Sequence, residues 1–211
     1  MKKVLSKIKS SRIIQVQIIA ITFSIVCGTL FHFVYQWTGE NKIIAAFVPV
    51  NESVWEHLKL AFYPMLIAAI IEYFVINKNV NNYIEAKTIG IFTAITFIVV
   101  TFFTYSGIIG GSLIVIDILI FILSIVLGEY VAYKLMTRKN ESDTKSKTLA
   151  VVIILLLMFS FILYTYNAPQ VNLFKDPITG VLHDLASLVV WILFDFDEIK
   201  APRTICIKFF L

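Results

Sequence analysis

Charge is scarce in this chain, and so are cysteine, proline and histidine. Of its 211 residues only 15% are charged while 59% are hydrophobic, a balance far too apolar for a soluble domain of this length. Two cysteines, Cys27 in the first apolar run and Cys206 in the tail, form no CxxC pair and no metal-binding spacing. The cysteines therefore support neither a disulfide framework nor a cysteine metal centre. The three histidines, His32, His57 and His183, contain no HExxH and no closely spaced pair, so the signature of a zinc protease helix is missing. No long repeat, low-complexity tract or polar stretch of domain size appears. The net charge of +4 does not point to nucleic acid, because the basic residues sit in short clusters beside apolar spans. There they set orientation and meet anionic lipid headgroups.

What is present is a series of long apolar runs. A run of about 20 residues at 1.5 Å rise spans a bilayer core, and the pattern predicts an all-α, polytopic membrane helix bundle. Five transmembrane helices are expected over about 13–37, 53–76, 86–106, 112–134 and 148–166. The first follows Lys2, Lys3, Lys7, Lys9 and Arg12. That start is similar to a signal peptide, but the run exceeds the ~7–15 residues of such a segment and lacks a small-x-small site, so an uncleaved helix is expected. Gly107, Gly110 and Gly111 divide the stretch from Ile89 to Tyr133 into helices three and four. Residues 1–180 form the helical domain. Residues 181–211 are an apolar segment and tail whose placement stays open, with Val181 to Phe194 a candidate sixth crossing, shorter than the ~17–25 residues a span usually needs.

Loop charge sets the expected orientation. With the N-terminus inside, the cytoplasmic side holds the N-terminal cluster, Lys78, Lys87, and Lys134, Arg138, Lys139, Lys145 and Lys147. The opposite side holds Lys42, Lys59 and Lys175. A multi-pass protein of the bacterial cell (plasma) membrane with a cytoplasmic N-terminus is expected.

Between the first two runs lies Pro49-Val50-Asn51-Glu52-Ser53-Val54-Trp55-Glu56-His57-Leu58-Lys59, a concentration of ionisable groups at a hydrocarbon boundary. Such groups are costly in a bilayer unless paired or wet, and mark functional sites by default. Pro49 suits an entry turn, and Ser53-x-x-Glu56 has the form of a capping box, so helix two is expected to start near Asn51 to Ser53. Glu52, Glu56, Lys59 and Tyr63 then share one stripe, with Ser53 and His57 on the adjacent face. The bland reading is a capped end with solvated charges and Lys59 snorkelling to the surface.

Depth favours a site. His32 lies roughly 7 Å below the outer end of helix one, and Asp117 roughly 10 Å below the outer turn of helix four. With His57 at a similar level, three helices bring ionisable groups together, accompanied by Tyr35, Tyr63 and Tyr105. The expected ligand or ion site comprises His32, Glu52, Glu56, His57, Asp117, Tyr35 and Tyr105. Glu72, Glu85, Lys87 and Glu129 are read instead as snorkelling or paired charges at the cytoplasmic surface.

Two histidines with carboxylates suit a divalent metal such as zinc. His32, His57 and Asp117 would be its ligands, with Glu52 or Glu56 as proton acceptor in a hydrolase acting on a lipid-like substrate. The same groups could bind or transport a small ligand or ion with proton exchange, the reading preferred here. A non-catalytic membrane partner protein is the third. Expected partners are the lipid bilayer and a small ligand or ion, with a homo-oligomer left open.

The motif from Pro49 to Lys59, preceded by His32-x-x-Tyr35, resembles a family of uncharacterised small bacterial integral membrane proteins, a domain of unknown function. The resemblance continues through Thr104-Tyr-Ser-Gly-Ile-Ile-Gly110, Asp117 and Leu173-Phe-Lys-Asp-Pro-Ile-Thr-Gly180. It implies a membrane location and several helices, and supplies no activity. Beyond Gly180 the chain departs from the prompt ending that the resemblance leads one to expect.

Overall fold

A computed structural model describes residues 2–76, 80–138 and 142–176, with side chains from Arg12 onward. The candidate sixth crossing, His183, Asp184 and Cys206 lie outside the described residues. The chain forms α1 (Lys2–Trp37), a short α2 (Lys42–Ala45), α3 (Val54–Ile76), α4 (Tyr83–Ile109), α5 (Ile114–Thr137) and α6 (Thr144–Tyr166), then a 3-10 turn at Asn172–Phe174. Among the described residues there is no β-strand. Five of the helices, taking α1 from Arg12, are long and apolar enough to cross a membrane. The long helices alternate in direction. We call the end carrying α2 and the 3-10 turn the upper end, and the end near Val80 the lower end.

Helix α3 is the hub. It is the most buried of the five long helices and packs against α1, α4, α5 and α6. Its Leu58, Phe62 and Met65 interleave with Ile91, Ala94, Ile125 and Phe161 in one apolar core. The outer surfaces are apolar too: Phe74, Leu119, Leu123, Leu149, Leu156 and Phe159 are exposed. Helices that are hydrophobic all round belong in an apolar solvent rather than in water.

Two close approaches fix the packing. Gly90 of α4 and Gly128 of α5 face each other, and a Cβ on either would come within 2.6 Å of the other's carbonyl oxygen. Small residues at such crossings let backbones meet. On the other side of α3, Gly28 of α1 lies against the Leu60 carbonyl and the Phe121 ring. Pro64 inside α3 has no N–H to give the Leu60 carbonyl, and α1 packs onto that interruption.

The turns follow local chemistry. Gly110 ends α4 in the left-handed region (φ 82°) with its N–H on the Ser106 carbonyl, a conformation glycine adopts without penalty. Gly107 and Gly111 have nothing within reach of an added Cβ. Asn41 caps α2 through its side chain. Asp143 caps α6, accepting from the Ser146 N–H at 2.8 Å, and hydrogen bonds from Ser146 hold its carboxyl below the usual range.

A leucine at Gly128 must push α4 from α5, at the about 1–3 kcal/mol typical of overpacking. Thermal unfolding in detergent should show a lowered transition for Gly128→Leu and an unchanged one for Gly107→Leu. An unchanged transition for Gly128→Leu would show that the helices do not meet there.

Candidate functional site

The charged segment divides into two sites because α3 starts later than the stripe requires. Ser53 is the N-cap: its hydroxyl accepts from the Glu56 N–H at 3.3 Å, and its carbonyl accepts from the His57 N–H at 3.1 Å. The capping box is half formed. The Glu56 carboxylate reaches the Val50 N–H at 3.1 Å rather than that of Ser53, whose N–H is donated to the Asn51 side chain at 2.9 Å. Glu52 therefore precedes the helix, in the turn after Pro49, and does not share the stripe of Glu56 and Lys59. The two carboxylates point to different partners.

Glu56 turns into the protein. Its Oε2 pairs with the Lys59 ammonium at 2.7 Å, and Lys59 is 0% exposed, so it does not snorkel. Lys59 Nζ also donates to the carbonyls of Ala45 (2.9 Å) and Val48 (3.3 Å) and to the Thr165 hydroxyl (2.5 Å). Thr165 lies 3.1 Å from Glu56 Oε1, and Tyr63 donates to the Ala46 carbonyl at 3.2 Å. This network ties the α2 segment and α6 onto α3.

Glu52 turns to the histidines. Its Oε2 is 3.3 Å from His57 Nε2 and its Oε1 is 3.8 Å from His32 Nε2, while the two imidazole centroids stand 5.4 Å apart. One donor atom from each of the three lies within 4.8 Å of the others, and all three side chains are partly exposed. Ligands of a tetrahedral zinc with bonds of about 2.0–2.1 Å sit about 3.4 Å apart, so these three would have to draw together to hold one. His57 Nδ1 lies 3.0 Å from the Ser53 carbonyl. Donating there presents Nε2 to Glu52, the orientation that a backbone carbonyl imposes on metal-binding histidines.

Glu52 thus stands where Asp117 was expected as third ligand. Asp117 instead accepts the Tyr105 hydroxyl, which in turn accepts from the Leu113 N–H at 3.3 Å, so the pair clamps the α4–α5 turn. Asp117 still lies within electrostatic range of His57. Tyr35 is half-buried, within range of Glu40, Glu56 and Tyr166, away from the histidine pair's contacts.

The lower end holds a further network that sequence reasoning put at the surface. Lys87 bonds both Glu72 and Glu129, each at 2.5 Å, and all three are buried. Helix α4 begins at Tyr83, which sets Lys87 in its second turn rather than at the rim. Thr165 and Gln17 were also missed; a lone polar residue facing inward from an apolar run is the signal that could have flagged each.

These features define an all-helical, membrane-type bundle with a His/Glu cluster at one end. Residues 5–183 match DUF6512, a family of unknown function, and the chain belongs to that family. No curated protein and no solved structure gives a match.

Removing one partner of a buried ion pair costs about 3–5 kcal/mol, whereas replacing both with apolar groups is often near neutral. Lys59→Met should therefore destabilise strongly in chemical unfolding, and Glu56→Leu with Lys59→Met should cost less than Lys59→Met alone. A double variant that loses the sum of the two single losses would show that the charges are not coupled.

Proposed function

We infer that this protein spans a bacterial cell membrane with its N-terminus in the cytoplasm, and that it binds a divalent metal ion, zinc by preference, at His32, Glu52 and His57 on the outward side. The exposed apolar faces support residence in a bilayer. Orientation is supported by loop charge once Lys59 and Lys87 are set aside as buried. Lys42 and Lys175 then stand against the N-terminal cluster and the cluster from Lys134 to Lys147.

One observation carries the metal reading. With His57 Nδ1 donating to Ser53, a neutral imidazole would set the Nε2 lone pair against an anionic oxygen 3.3 Å away. That contact is repulsive unless a cation lies between the two atoms. A proton on Nε2 would suffice for two groups; a metal also uses His32, which completes the set of three. The site is partly open, as suits an ion that is bound and released during transport. Three protein ligands with an open position also match a catalytic zinc, so hydrolysis of a lipid-like substrate is the second reading. It predicts product formation that disappears when the metal is chelated.

Protein purified into lipid nanodiscs and stripped with chelator should take up one equivalent of zinc by calorimetry. His57→Ala and Glu52→Gln should weaken binding by more than the about 10–100-fold that follows loss of a supporting group, and Asp117→Asn should bind as the unmodified protein does. Absence of saturable zinc binding by the unmodified protein overturns the metal reading and leaves the proton.

A further inference from the structure

Along α3, Glu72 lies roughly 22 Å below His57 at 1.5 Å per residue, and it anchors the lower network. Lys87 Nζ has three protons and three partners: Glu72 Oε2 at 2.5 Å, Glu129 Oε2 at 2.5 Å and Gln17 Oε1 at 3.4 Å. Gln17 returns its amide hydrogens to both oxygens of Glu72 at 3.1 Å, and the Tyr83 hydroxyl lies 3.0 Å from Glu72 Oε2 and 2.7 Å from the Ala69 carbonyl. Glu72 is thus solvated by protein donors on both oxygens. Glu129 is not. Its Oε1 is buried with no hydrogen-bond partner, and the residue is only 1% exposed.

Charge and donors therefore disagree with two ionised carboxylates. The groups facing Glu129 are Lys87 and Tyr83 from α4 and Glu72 from α3, with neutral Gln17 from α1. One ammonium against two carboxylates leaves one negative charge in a water-excluded interior. An unpaired ion buried there costs far more than an unsatisfied neutral polar atom does. Neutralisation by a proton is the usual outcome, and donor counting places that proton on Glu129 Oε1, since every other oxygen of the pair already has a donor.

We propose that the Glu72–Lys87–Glu129 cluster at the lower end is a proton-binding site, occupied at neutral pH by one proton carried on Glu129. It draws on α1, α3, α4 and α5, four of the five long helices, and does not depend on the metal reading at the upper end. Lys87, in contact with both carboxylates, offsets the one charge that remains once Glu129 holds the proton. Ionisable groups buried among membrane helices in this way are functional sites by default.

Infrared spectroscopy of the full-length protein in nanodiscs at neutral pH tests this. The unmodified protein should show a protonated carboxylic C=O band that shifts when glutamate alone is carbon-13 labelled, a readout that needs no variant. The band should be lost in Glu129→Gln, which mimics the neutral acid in shape and should fold, and kept in Asp117→Asn. No such band, a band unmoved by glutamate labelling, or one kept in Glu129→Gln overturns the proposal. Ionised carboxylates alone, with a melting temperature raised by sodium and not by potassium, would put a metal cation in place of the proton and also overturn it.

Discussion

The buried ammonium of Lys59 is the constraint around which the upper end is built. A lysine in an apolar interior must find an acceptor for each proton and a counter-charge. It finds them in Glu56, Thr165 and the carbonyls of Ala45 and Val48. Meeting that demand holds the 41–53 segment over the top of α3 and draws the end of α6 inward. It also commits Glu56 wholly to the interior. The neighbouring carboxylate, Glu52, is left to face the two histidines from the other side of the turn.

The bundle therefore has an ionisable cluster at each end and an apolar middle. Phe62, Met65, Ile91, Ile125 and Phe161 fill the space between them, and α3 contributes to both clusters as well as to this core. The two ends differ in character. The upper cluster, two histidines and a carboxylate, is partly exposed, whereas the lower one is closed and internally paired apart from a single carboxylate oxygen. One end meets its surroundings, and the other is screened from them.

The five helices were legible in the sequence because length and apolarity are properties of single runs, and a bilayer constrains each run separately. The glycine turn after α4 and the polar segment from Pro49 to Lys59 were legible for the same local reasons. Pairing was not. Whether Glu52 or Asp117 joins the histidines depends on how the chain enters α3: with Ser53 as the cap, Glu52 lies in the turn before the helix and leaves the helical stripe. Lys59 and Lys87 are near helix ends in number, yet face protein rather than lipid, and depth alone cannot distinguish those surroundings. Short α2 went unread because four residues leave almost no periodic signal, although Asn41 before two isoleucines is its cap.

Gly28 has a consequence for the histidine pair that its own neighbourhood does not reveal. It lies one turn below His32 on the same face of α1, and Leu60, whose carbonyl it meets, lies one turn below His57 on α3. The two imidazoles, 5.4 Å apart, are thus mounted one turn above a close backbone approach of their helices. A missing side chain, one turn from the imidazoles, is what lets the two helices that carry them approach.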